Sequence, residues 1–203
     1  MSDDDKRFAE VVAAIDAANA RDPNAVEVDG RHLAAELVYG QRMSETLARL
    51  APEASEPLRI AARGQHIERW TSPRRGYPEG RAGYLRWRKD LQAFHAARVG
   101  EIMTAAGYDA TAIGRVGALI RKERLKADAE AQMLEDVACL VFLAHYLGDF
   151  LRKTDHDKLA GILAKTWNKM SPLGREAAHK LHLPAPVPAL LEQGLARLRP
   201  APE

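Results

Sequence analysis

The sequence predicts an all-α protein of about seven to nine helices, and three observations carry that reading. Almost every segment repeats its apolar residues at intervals of three or four. The strict alternation that marks a half-buried strand is scarce. The ends of the periodic segments carry capping residues or proline.

In chain order, Asp3, Asp4 and Asp5 can cap a first helix whose inward side is Phe8, Val11, Val12 and Ile15. It should end near Pro23, because proline disfavours helix at the residue before it. Residues 24–30 read as a connector, and 31–50 as a second helix with Leu33, Leu37, Met43 and Leu47 inward and Tyr39 between Glu36 and Arg42. Pro57 opens a third helix, in the first turn, where its missing N–H costs nothing. A long fourth helix starts near Arg81. Tyr84, Trp87, Leu91 and His95 recur along one face of it, and Arg88 and Gln92 flank that face. Gly107 closes it, and Asp109 caps a fifth helix that carries Ile113, Val116, Leu119 and Ile120. A sixth, mostly buried helix starts at Asp128 and includes Leu134, Val137, Leu140 and Leu147. A seventh is expected over 155–170, a short one over 174–182, then a proline-rich joint at Pro184, Pro186 and Pro188 and a last helix over 190–198. The domain organisation expected from this pattern is one helical domain over 1–183 and a C-terminal appendage over 184–203.

At 203 residues, with 46% hydrophobic and 29% charged residues, the chain can bury a full core as one domain. Its formal net charge of +2 provides no global field for nucleic acid, which argues against RNA or DNA as the partner. Cys139 is the sole cysteine, so an internal disulfide and a cysteine-based zinc site are both excluded. The absence of a disulfide, an acidic and polar start, and the lack of any apolar run of about 20 residues point to a cytoplasmic protein without a membrane span. A homo-oligomer stays open.

The stretch 63–89, RGQHIERWTSPRRGYPEGRAGYLRWRK, stands out. Between Arg59 and Lys89 there are nine Lys or Arg against two acids, interleaved with Trp70, Tyr77, Tyr84 and Trp87. Large rings and guanidiniums in a loop read as a structured site for something anionic. Arginine forks match phosphate and carboxylate oxygens, and the indoles can stack a base or hold a guanidinium. The candidate substrate-binding residues are Arg69, Trp70, Arg74, Arg81, Trp87 and Arg88, with Lys122 and Lys126 from a second basic cluster, RKERLK over 121–126. The bland alternative is a solvated basic face.

His66 and His95 flank this loop. Two helices that each supply an imidazole can hold a metal when a carboxylate joins them, and Asp136 and Glu135, at the head of the most apolar helix, are the acids to consider. The candidate metal set is His66, His95 and Asp136, with a divalent ion as the cofactor. Without metal, His66 would be the general base or acid, with Glu68 or Asp136 orienting it and arginines stabilising charge. The bland alternative is a pair of satisfied, half-buried histidines and an acid paired with arginine. Walker, GxGxxG, HExxH, EF-hand and GxSxG motifs are absent, and Cys139 reads as inert core.

The strings RGQHIERW, PRRGYPEGRAGYLRWRKDLQAFHAARVGEIMTAAGYD and LEDVACLVFL resemble an all-helical family of unknown function found in bacteria and fungi, over about 8–181. More distantly, the chain is similar to the HD superfamily of metal-dependent phosphohydrolases. AARGQHIERW places His66 where the paired histidine would stand, His95 falls where a further histidine would stand, and LEDVACL resembles the late helix. Ile67 replaces the aspartate of the pair, Tyr39 or a neighbour takes the early histidine's place, and Ala138 aligns with the late aspartate, with Asp136 two residues away. What this resemblance implies is an HD-like helical domain that hydrolyses, or otherwise acts on, a small phosphorylated or nucleotide-like substrate. The competing expectation is a non-catalytic anion- or metabolite-binding protein on the same fold with a degenerate metal site.

Overall fold

The computed structural model describes residues 2–198 and is all-α apart from one short hairpin. The chain divides into two compact units, one ending at Leu134 and the other beginning at Glu135.

The first unit is built around a short, mostly buried helix. Helix α1 (Asp3–Asn19) starts at a capping box in which Ser2 accepts from the Asp5 amide and Asp5 accepts from the Ser2 amide. Strands β1 (Ala25–Val28) and β2 (Arg31–Ala34) pair antiparallel. Helices α2 (Ala35–Leu50), α3 (Glu56–Gly64), α4 (Gly80–Ala105) and α5 (Ala110–Ile120) follow. Helix α3 packs against α1, α2 and α5. Leu58, Ile60, Ala61 and Ala62 are buried on nearly all sides of it. Ser55 caps it through the Leu58 amide, and Pro57 sits in its first turn. Small residues let it lie this deep: a β-carbon on Gly64 would stand 2.5 Å from the Val99 side chain.

The segment over 24–34 corrects one expectation. The sequence predicts a connector and a helix start there, yet the segment forms the hairpin. The Asp29–Gly30 pair turns it with positive φ at both residues (51° and 75°), the geometry that two-residue hairpin turns demand. Helix α2 therefore starts four residues later than its apolar period implies, at an Ala34 that has no capping side chain. The buried Asp22 takes the cap's place by accepting from the Glu36 amide at 3.0 Å.

Helix α6 (Ala129–Val141) crosses the division between the units. The second unit continues with a π-helical turn (Phe142–Tyr146), α7 (Leu147–Lys153), α8 (His156–Lys169), α9 (Pro172–His179) and α10 (Pro186–Ala196). The π turn splits the apolar run read as one helix, which brings the described residues to ten α-helices. Pro186 and Pro188 lie in the opening of α10 rather than in a joint before it, since the first helical turn accommodates proline. Helix α10 packs on α8, and its Val187 and Leu190 are buried. The rest of the expected appendage, 199–203, lies outside the described residues. Among the described residues no helix is long and apolar enough to cross a membrane.

Candidate functional site

The site grows from the turn that follows α3. Glu68 adopts a left-handed conformation (φ 50°), unusual for a residue with a β-carbon. Three contacts hold it there. Its amide donates to the buried Asn19 Oδ1 at 2.9 Å, and its carboxylate meets Arg21 at 2.7 Å and Arg98 at 2.8 Å. This anchor turns the backbone so that Ile67, fully buried, presents its carbonyl to His95 Nδ1 on α4 at 2.7 Å. Glu68 is thus a clamp under the site, and the carboxyl beside His66 is Glu36.

His66 and His95 come together. Their ring centroids are 5.9 Å apart, and both rings line a cavity of about 220 Å³. His66 stacks on Tyr39 at 4.1 Å, with the rings 11° from parallel. The Tyr39 hydroxyl accepts from the Gln65 amide at 3.2 Å. Glu36 Oε2 stands 3.6 Å from His66 Nδ1, outside hydrogen-bonding distance. That nitrogen is buried without a hydrogen-bond partner, and so is His95 Nε2. Two orphaned imidazole nitrogens in one cavity depart from the rule that buried polar atoms are paired.

The rest of the lining is cationic and aromatic. Arg69, Arg88 and Lys122 face the cavity together with Tyr84 and Trp87. Trp87 donates its indole N–H to the Ser72 carbonyl at 2.9 Å, which pins the loop to α4, and Arg69 lies over its ring at 5.2 Å. Lys122 follows α5 in a left-handed conformation (φ 57°), a strain on the order of 1 kcal/mol. The remaining predicted binding residues stand elsewhere. Arg74 donates to the Tyr77 and Pro78 carbonyls and lines a separate open cleft with Trp70. Arg81 and Lys126 are exposed and outside the cavity lining. A larger apolar groove of about 530 Å³, around Phe8 and Leu47, holds none of the histidines.

Electrostatics follow from burial first. Desolvation pushes the Glu36 carboxyl up to about 7, against the pull of Arg69. Desolvation also holds His66 well below its ordinary value, and the charges of Arg69, Lys122 and Arg88 push it the same way. His95 is depressed to about 3 by desolvation and by His66. At neutral pH both imidazoles are uncharged, and Glu36 is close to half protonated.

Among the described residues no group of three or more His, Cys, Asp or Glu could hold an ion. In the second unit, Asp136 accepts from the Ser171 amide at 2.8 Å and from the Ser171 hydroxyl, at the start of α9. Its neighbour Glu135 pairs with Lys169 at 3.3 Å.

Fold and site together define an all-α protein with an electropositive, histidine-bearing pocket. The chain belongs to the family described as Domain of unknown function (DUF4202), whose pattern matches residues 9–191. No curated protein and no solved structure matches it. The residues that sequence reasoning left unassigned are Glu36 and Gln65. An acid in the first turn of a helix reads as complementing the helix dipole, so Glu36 carried no distinguishing signal.

Proposed function

We propose that this chain is an enzyme acting on a small phosphorylated substrate, a hydrolase or a related catalyst of the kind the HD resemblance implies, which works with its own acid–base groups. The observation that carries the reading is the pair of buried, unpartnered imidazole nitrogens in a cavity ringed by Arg69, Arg88 and Lys122. Three cations around so small a volume suit an anion, and arginine forks suit phosphate oxygens. The same cations help keep His66 neutral. A bound phosphate would cancel part of their field and raise the basicity of His66 when substrate arrives.

In hydrolysis, water adds to phosphorus, the ester P–O bond breaks, and the leaving oxygen departs with a proton. His66 takes a proton of the attacking water and returns it to the leaving oxygen, Glu36 stands 3.6 Å from its ring as the nearest carboxyl, and the cations stabilise the phosphoryl charge. The residues of the described chain do not fit the divalent ion the resemblance implies, so no step is assigned to one.

A screen of phosphate monoesters measures the reading. His66→Ala abolishes turnover while its circular dichroism and melting temperature stay close to the parent's. Undiminished turnover in that variant overturns the assignment. The lack of a metal donor set favours a second reading, a binding protein without turnover. It predicts phosphate-monoester binding that persists in chelator, with no product from any substrate in the screen.

A further inference from the structure

The two nitrogens of His95 are not equivalent, and the difference identifies what the ligand must carry. The Ile67 carbonyl, 2.7 Å from Nδ1, can only accept, so Nδ1 carries the ring proton. His95 is 2% exposed and uncharged near neutral pH, which makes Nε2 a bare lone pair. That lone pair is buried, unpartnered and on the ring that lines the cavity. The surrounding cations attract a phosphate, and a doubly ionised phosphate monoester has no hydrogen to offer Nε2 in return.

The cavity, of about 220 Å³, is partly open to solvent, so it accommodates a phosphate and the first carbons attached to it.

We infer that the ligand is a phosphate monoester with a free hydroxyl group near the phosphate, and that this hydroxyl donates to His95 Nε2 while Arg69, Arg88 and Lys122 hold the phosphate. This deepens the proposed function and rests on it. His95 acts here as a recognition acceptor, distinct from the acid–base role given to His66.

The test is calorimetric titration of the intact chain with a matched pair, glycerol 1-phosphate and n-propyl phosphate, which differ in hydroxyl groups on the same three-carbon chain. Glycerol 1-phosphate should bind at least roughly tenfold tighter, because the propyl ester leaves a buried acceptor unpaired. In His95→Phe, which removes the acceptor, the two esters should bind alike. Equal affinities in the parent chain overturn the inference and leave the phosphate reading standing. Failure of both esters to bind overturns the phosphate reading and this inference with it. The parent-chain comparison decides the matter even if His95→Phe does not fold.

Discussion

Glu36 sits in a position where stability and function pull apart. Its carboxyl titrates at about 7 in the folded chain against an ordinary 4.5. The folded state therefore keeps a proton that the unfolded state has already released. Stability falls as pH rises from about 4.5 to 7, and the full loss is reached above that range. The gap between an ordinary 4.5 and about 7 corresponds to about 3 kcal/mol for this mostly buried side chain. Glu36→Gln should raise the melting temperature at pH 8 and leave it nearly unchanged at pH 5, while lowering turnover. A variant equally stabilised at both pH values would show that burial does not set the Glu36 proton. His95 has the opposite sign. Its depressed value means stability is complete above about 6.5 and is lost as pH falls towards about 3. The two groups therefore offset each other between about pH 4.5 and 6.5.

At the scale of elements, the site depends on how closely the basic loop meets α4. Gly83 is buried in the first turns of α4, and a β-carbon there would stand 1.9 Å from the Pro78 carbonyl oxygen. Nothing at that distance is a flexible side-chain end, so the loop itself would have to move. Gly83→Ala should lower the melting temperature by several degrees and shift the emission of Trp87, whose N–H is bonded to Ser72 in the same loop. An unchanged spectrum and melting temperature would mean the loop is not held by this contact. The helices themselves are legible from period and end signals, as Pro57 for α3 and Asp109 for α5 show. The hairpin was missed because Leu33 and Leu37 fit a helical period and drowned the Asp29–Gly30 turn signal. His66 and His95 were legible as candidates by residue type. Their convergence was not, because it depends on Asn19 and the left-handed Glu68, which are far from His95 in sequence. Arg74 looked like a ligand contact, yet it ties loop carbonyls together, a role that composition does not reveal.

Across the whole molecule, charge is nearly balanced, with a formal net of +2, so the basic character of the site is local. Every lining residue of the histidine cavity belongs to the first compact unit. The family match extends over 9–191 and so takes in residues of both units. A local cluster of cations predicts binding that weakens with ionic strength, and anion affinity that is lost with particular guanidiniums rather than with total charge. The most direct measurement is calorimetric titration of a phosphate monoester into the parent chain and into the Arg69→Ala/Arg88→Ala double variant, at low and moderate salt. The account predicts saturable one-to-one binding in the parent, weakened by salt, and at least a roughly tenfold loss of affinity in the double variant with the fold retained. Absence of binding in the parent, or equal affinity in a folded double variant, would contradict it.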